Sequence, residues 1–183
     1  MSKIRIAVLV GSLRRESFNR RLADALVRLG PDDFAFSRLR IDDLPLYNQD
    51  DDANQADTVQ RLKGELAASQ GLLFVTPEYN RSVPGMLKNA IDHASRPYGK
   101  NAWQGKPAGV IGVSIGAMGT SMAQQHLRNI LAYVDVPTLA QPEAFIQAKD
   151  GLFDGDGNVG AVSREFIQQW MNAFAVWVRD HQH

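Results

Sequence analysis

Hydroxyl, guanidinium and amide side chains are concentrated in residues 11–19, GSLRRESFN, which run into a predicted helix. They include Ser12, Arg14, Ser17 and Asn19. A helix N-terminus offers unpaired N–H groups and a partial positive charge, so this segment is suited to holding a phosphate. The segment lacks the glycines of GxGxxG and the Gly-Lys-Ser/Thr of a P-loop, and we therefore predict one terminal monophosphate. Alternatively, Ser17 only caps the helix and Arg14 is a solvated charge.

A second segment, PEYNRSVPG at 77–85, directly follows a short apolar strand pattern. Its prolines and its glycine restrict the backbone, so it can present N–H and C=O groups at fixed positions to a flat heterocycle such as a flavin. Tyr79 could supply an aromatic face. Taken alone, however, a tyrosine is more often a packing residue, and a glutamate such as Glu78 is more often a solvated carboxylate. We expect Ser82 to be the N-cap of the helix that follows, with Pro84 in its first turn.

A third segment, SIGAMGTS at 114–121, contains two glycines, which let a ligand approach the backbone closely. By itself it is equally typical of an ordinary β-to-α turn.

The elements around these segments alternate between strand and helix. Apolar patterns predict strands at 3–10, 34–41, 71–76 and 107–115, with a short fifth strand between 138 and 146. Five helices follow these strands, so we predict an α/β fold in one domain spanning 1–183: a doubly wound parallel sheet with helices on both faces.

Ligands bind beyond the carboxyl ends of the strands in an open parallel sheet. All three unusual segments leave such ends, and we therefore expect them to share one cleft. They are called loop 1 (11–19), loop 3 (77–85) and loop 4 (114–121) below.

Composition excludes several classes of protein. Lys plus Arg equals Asp plus Glu at 20 each, which argues against nucleic acid as a partner. There is no cysteine, so disulfides, thiolate nucleophiles and iron–sulfur clusters are excluded. The sequence has no signal-peptide pattern and no apolar run near the roughly 18 residues of a membrane span, so we expect a cytoplasmic protein without a membrane partner.

No metal site is predicted. Residues 154–158, DGDGN, resemble the start of a calcium loop with Glu165 at its twelfth position, but the sixth position is Val159 where the turn requires glycine. We interpret the segment as a surface hairpin. His93 and His126 lie on different predicted helices, and the other two histidines end the chain.

The chain resembles the NAD(P)H-dependent FMN reductase family, near its chromate and quinone reductase branch. The resemblance rests on GSLRRESFNRRLA at 11–23, VTPEYNRSVPGMLKNAIDHASRP at 75–97, and the SxGxxG-type turn at 114–119 followed by HLRNIL at 126–131. It covers nearly the whole chain in the expected order. The chain departs from the family pattern at His93, where tryptophan is usual, and at Thr120, where a second glycine is usual.

This resemblance implies a flavodoxin-like sheet of order 2-1-3-4-5 and FMN as cofactor. The phosphate would be held by Ser12, Arg14, Ser17, Phe18 and Asn19. The isoalloxazine ring would contact Pro77, Glu78, Tyr79 and Asn80 from loop 3, and Ser114 and Gly116 from loop 4.

The implied reaction takes hydride from NADH or NADPH and passes electrons by ping-pong kinetics to a small acceptor: a quinone, free flavin, an azo compound or chromate. Hydride transfer to a flavin needs no side-chain acid or base, so we assign no catalytic residue. Two other functions stay open: a non-catalytic flavin electron carrier, which zero net charge disfavours, and a phosphomonoester-binding or phosphomonoester-handling protein that uses Ser12–Asn19.

Family members are dimers or tetramers with FMN near the interface, so the resemblance also implies a homodimer or homotetramer. The last predicted helix carries an apolar stripe of Phe166, Trp170, Phe174 and Trp177. We expect part of this stripe, together with Leu87, Ile91 and His93, to leave apolar surface for a subunit contact.

Overall fold

The computed structural model describes residues 2–182. Its sheet has five strands in the order β2-β1-β3-β4-β5, and all paired strands are parallel. The strands are β1 (Ile4–Val10), β2 (Phe34–Arg38), β3 (Gly71–Val75), β4 (Ala108–Ser114) and β5 (Phe145–Gln147). The helices are α1 (Phe18–Leu29), α2 (Asp57–Ala67), α3 (Gly85–Ala94), α4 (Ser121–Tyr133) and α5 (Ala161–Asp180). The predicted doubly wound sheet is confirmed, and its strand order is that of flavodoxin-like folds.

The central strands are apolar throughout because helices cover both faces of the sheet. Along β3, Leu73 and Val75 belong to a core shared with α1 and α5, whereas Leu72 and Phe74 belong to the opposite core with α2, α3 and α4. Successive side chains of a strand point to opposite faces, so two buried faces require an unbroken apolar run.

The stripe on α5 is mainly core. Trp170 and Phe174 are fully buried and stack with ring centroids 5.7 Å apart. Trp177 is half-buried, and its indole N–H donates to the Pro137 carbonyl at 3.1 Å. Phe166 is 45% exposed and is the member of the stripe left on the surface.

The expectation that Leu87, Ile91 and His93 offer subunit surface was wrong. All three are buried within the chain itself. His93 lies under the long connection after β2: its Nε2 is 2.9 Å from the Pro45 carbonyl oxygen, and the Tyr47 ring meets it edge-on. That connection covers this part of α3.

Ser82 is not the N-cap of α3. The helix begins at Gly85 with Pro84 at the cap position, and no side chain caps it. Ser82 instead pairs with Tyr79 through two backbone hydrogen bonds, which closes a turn three residues before the helix.

Smaller features agree with expectation or shift by a few residues. β2 ends at Arg38 rather than 41, and β5 has three residues. The predicted hairpin near residue 154 is present, because Phe153 and Val159 form an antiparallel bridge. Among residues 2–182, no helix combines the length and apolar character needed to cross a membrane. His183 lies outside the described residues.

Candidate functional site

Loops 1, 3 and 4 converge on a cleft of about 180 Å³ at the carboxyl ends of β1, β3 and β4. Nine of the eleven predicted site residues line it, and Val113 and Ile115 were not predicted. Asn80 and Gly116 are not among the lining residues. The predicted residues in the lining are Ser12, Arg14, Ser17, Phe18, Asn19, Pro77, Glu78, Tyr79 and Ser114.

The N-terminus of α1 opens into this cleft. Ser17 is the N-cap: its hydroxyl accepts from the N–H of Arg20 at 3.3 Å and its carbonyl accepts from the N–H of Arg21 at 3.1 Å. The first N–H groups of a helix have no intrahelical acceptor, so those of Phe18 and Asn19 are available to a ligand in the cleft. Aligned peptide dipoles favour an anion there.

Asn19 joins α1 to β4. Its Nδ2 donates to the Val113 carbonyl at 2.8 Å, and its Oδ1 accepts from the Val113 N–H at 3.0 Å. Asn19 is buried, and the pair lies 94 residues apart in sequence. Since an amide nitrogen carries two protons, one remains for a ligand while the other fixes the start of α1 against the sheet.

Positive charge at the α1 end of the cleft comes from Arg14. The side chain is exposed, and none of the ion pairs formed within residues 2–182 includes it. Ser12 lies beside it in the cleft and is buried. A free guanidinium can form two parallel hydrogen bonds to a phosphate.

Loop 3 contains a tight two-residue turn. The N–H groups of Tyr79 and Ser82 each donate to the other residue's carbonyl, at 3.1 and 3.0 Å. The two central residues, Asn80 and Arg81, have φ of 51° and 61°. Asn80 therefore occupies the tip of the turn, while Tyr79 at its base reaches the cleft.

The Glu78 carboxylate contacts another helix. Its Oε2 accepts from the N–H groups of Met122 and Ala123, both at 3.0 Å, in the first turn of α4. Glu78 is half-buried and lines the cleft. Because Oε2 is already paired with α4, this residue can offer a ring in the cleft its backbone groups and Oε1.

Loop 4 is closed by Ser114. Its hydroxyl donates to the Gly119 carbonyl at 2.6 Å and accepts from the Gly116 N–H at 3.2 Å. Gly119 has φ of 58°, and a Cβ there would lie 2.7 Å from the Phe145 carbonyl carbon. The glycine in this turn is therefore required by the backbone.

The seam between β3 and β4 below the cleft is unusually close. A Cβ on Gly112 would lie 2.0 Å from the Thr76 carbonyl oxygen. The Thr76 hydroxyl donates to the Pro77 carbonyl at 2.8 Å, so the first residue of loop 3 is fixed from below. Loops 3 and 4 thus leave the sheet from a rigid base.

The donors of the cleft fit the two ends of FMN. Hydroxyls, a guanidinium and helix N–H groups lie at the α1 end, as a phosphate requires. At the other end Tyr79, Ile115 and the ordered backbone of loops 3 and 4 suit a flat ring with polar edge atoms. Exposed apolar side chains, including Met118 and Ile115, border this end.

Comparison with known proteins identifies the family. The model of the family described as NADPH-dependent FMN reductase matches residues 4–150. The chain belongs to this family, as its motifs predicted. An NAD(P)H-dependent oxidoreductase with FMN as cofactor is therefore confirmed as the class of protein.

Individual relatives are similar along their whole length. A 2-hydroxy-1,4-benzoquinone reductase from a Burkholderia species is 49% identical over 180 residues, which is 98% of each chain. A quinone reductase from Pseudomonas putida is 47% identical over 95% of this chain and 94% of its own. The solved structure of FerB, a flavoenzyme NAD(P)H:(acceptor) oxidoreductase from Paracoccus denitrificans, superposes with a TM-score of 0.93 at 45% identity, covering 97% of this chain and 98% of that one.

Proposed function

We propose that this chain takes hydride from NADH or NADPH and passes the electrons to quinones and other small acceptors. The observation that supports this most is that three loops, distant in sequence, line one cleft into which the N-terminus of α1 opens. Relatives named as quinone reductases at 47–49% identity support quinones as the first acceptors to test.

The α1 end of the cleft would bind the phosphate of FMN and so orient the cofactor. Ser12 and Ser17 would contribute hydroxyls, Arg14 a bidentate cation, and Phe18 and Asn19 the N–H groups of the first helical turn. Bound FMN would supply the hydride and electron chemistry, for which no side chain of the chain need gain or lose a proton.

The opposite end of the cleft would hold the flat flavin ring in place and leave one face of the ring accessible. Pro77, Glu78 and Asn80 would offer backbone groups of loop 3 to the ring edge, and Tyr79 its aromatic face; Ser114 and Gly116 would do the same from loop 4. Tyr79 is 50% exposed and Ile115 is 76% exposed. An open apolar rim would admit the nicotinamide and then the acceptor to one surface, which is the basis for expecting ping-pong kinetics. Such a rim selects acceptors less by shape than by redox potential, so free flavin, azo compounds and chromate stay in the candidate set.

A visible spectrum of the purified protein tests this proposal. We expect the bands of oxidised flavin, bleaching on anaerobic addition of NADPH or NADH, and recovery when a benzoquinone is added. Initial rates measured against NADH or NADPH concentration, at several fixed quinone concentrations, should give parallel lines in a double-reciprocal plot. A colourless protein that takes up no added FMN would favour a phosphomonoester-binding protein, and bleaching without steady-state turnover would favour an electron carrier.

Residues 1–183 would form one FMN-binding domain that acts in the cytoplasm as a homodimer or homotetramer. Exposed apolar side chains around the cleft support self-association; they are Leu13, Ile115, Met118 and Met122. Analytical ultracentrifugation tests the assembly, and a single species at the mass of one chain would exclude it.

A further inference from the structure

The first turn of α4 receives its cap from another part of the chain. Thr120 occupies the N-cap position, but its side chain makes no capping hydrogen bond. The N–H groups of Met122 and Ala123 are instead satisfied by Glu78, 44 and 45 residues earlier. A carboxylate is well suited to this place, because the helix dipole and two charge-assisted hydrogen bonds both favour a negative charge.

Loop 3 needs such an external contact. Asn80 and Arg81 both adopt left-handed backbone angles, which are unfavourable for residues with a Cβ, and for arginine more than for asparagine. Strained turns persist where surrounding structure restrains them. A second contact lies on the same helix, since the Ser82 hydroxyl is 3.0 Å from His126 Nδ1. Both restraints on the turn therefore come from α4.

These two contacts also join loops 3 and 4. Loop 4 ends where α4 begins, and the Ser114–Gly119 hydrogen bond closes it. Holding Glu78 against Met122 and Ala123 therefore fixes the distance between the two loops that border the ring end of the cleft.

We infer that Glu78 is a positioning residue: its carboxylate holds loop 3 against α4 and so sets the spacing of the two loops that receive the flavin ring. This inference rests on the proposed function. In this role the side chain acts through Met122 and Ala123 without touching the ring, and the ring-facing backbone of loop 3 is ordered before the cofactor arrives.

Replacing Glu78 by alanine tests the inference. We expect the FMN dissociation constant, measured by fluorescence titration of the FMN-free protein, to rise roughly tenfold or more, because two charge-assisted hydrogen bonds no longer order the loop. Amide exchange at Met122 and Ala123 should become faster in the FMN-free protein. At saturating FMN, the visible circular dichroism and the midpoint potential of the flavin should both shift.

Two further variants make the test specific. Glu78→Gln keeps an acceptor oxygen but loses the charge, so its FMN affinity should lie between those of wild type and Glu78→Ala; it also serves if the alanine variant does not fold. Glu143→Gln is the matched control, because it makes the same chemical change at another carboxylate that contacts α4. The Glu143 carboxylate accepts from the Gln125 side chain of α4 at 2.9 Å. This variant should bind FMN as wild type does.

Wild-type FMN affinity and circular dichroism in both Glu78 variants would overturn the inference and leave the proposed function standing. A lower melting temperature with unchanged flavin spectra and potential would also overturn it, because Glu78 would then be a helix cap alone. Failure of the wild-type protein to bind FMN would overturn the proposed function itself, and this inference with it.

Discussion

Helices α1 and α4 both begin at the same rim of the sheet, yet their N-termini are used differently. α1 is capped by its own Ser17, and Phe18 and Asn19, whose N–H groups have no intrahelical acceptor, line the cleft. In α4, the Glu78 carboxylate occupies the corresponding positions. One helix start is therefore free for an external anion, whereas the other already carries an internal one.

Glycine content alone does not identify the helix start that can accept an anion. Loop 4 has two glycines, whereas loop 1 has one. Its helix dipole is nevertheless offset by a side chain from loop 3, whereas Arg14, an exposed cation that lines the cleft, lies at α1. At the start of α1, an exposed cation and helix N–H groups without an intrahelical acceptor occur together.

Giving α1 an internal anion should make it behave like α4 and should have the largest effect. In Ser17→Asp we expect the FMN dissociation constant to rise about a hundredfold or more, because a carboxylate about 4 Å from a phosphate is strongly repulsive at the edge of a protein. Aspartate caps helices as well as serine does, so the melting temperature of the FMN-free protein should change little. Ser17→Asn is the control, because asparagine matches aspartate in size and has no charge. An equal loss of FMN affinity in that variant would show that the size of the side chain, and not its charge, is responsible.

Removing the positive charge of Arg14 near the start of α1 should have the next largest effect. Arg14→Ala is expected to raise the FMN dissociation constant roughly tenfold to a hundredfold, as expected for loss of charge-assisted hydrogen bonds. Folding should be unaffected because the side chain is exposed. Arg15→Ala is the matched control, since Arg15 is exposed and does not line the cleft. Equal flavin retention in both variants would refute the role of Arg14.

Detaching the start of α1 from the sheet should cost stability. Asn19→Ala leaves the buried N–H and C=O of Val113 without their side-chain partners, and we expect the free energy of unfolding to fall by about 1–3 kcal/mol. Urea denaturation of the FMN-free protein measures this. An unchanged midpoint would mean that water replaces the amide without loss.

A change at the amino-terminal ends of the strands, opposite the cleft, should have the smallest effect. Arg179 donates two hydrogen bonds to Asp33, and these hold the pKa of that carboxyl below its usual 3.8. The pair stabilises the fold above pH 3.8, and the contribution is lost as pH falls through the lowered pKa. Both side chains are largely exposed, so Asp33→Asn should lower the melting temperature at pH 7 by only a few degrees, converge with wild type in acid, and leave FMN affinity unchanged. A changed FMN affinity would show that the amino-terminal and carboxyl-terminal ends of the sheet are coupled.

The sequence was sufficient to place the three loops at one rim. Residues such as Ser12, Pro77 and Ser114 follow strands that are apolar throughout, and parallel strands end at the same edge, so local pattern and a topological rule together predict their convergence.

Partners of individual side chains could not be predicted in this way. The Asn19–Val113 pair and the Glu78 contacts with α4 join residues 44 to 94 positions apart, and no local pattern encodes them. Ser82 was misassigned because a serine before a proline resembles a helix cap, whereas the tight turn after Tyr79 uses its backbone instead. The burial of His93 depends on an irregular connection whose path has no periodic signal.

The close seam at Gly112 limits how this protein could be engineered. Any side chain there would collide with the Thr76 carbonyl, so the base beneath the cleft cannot take a larger residue at this position without moving a strand. Ile115 and Met118, by contrast, extend outward from the rim. Libraries aimed at new acceptors would therefore do best to randomise those two positions and keep the floor intact.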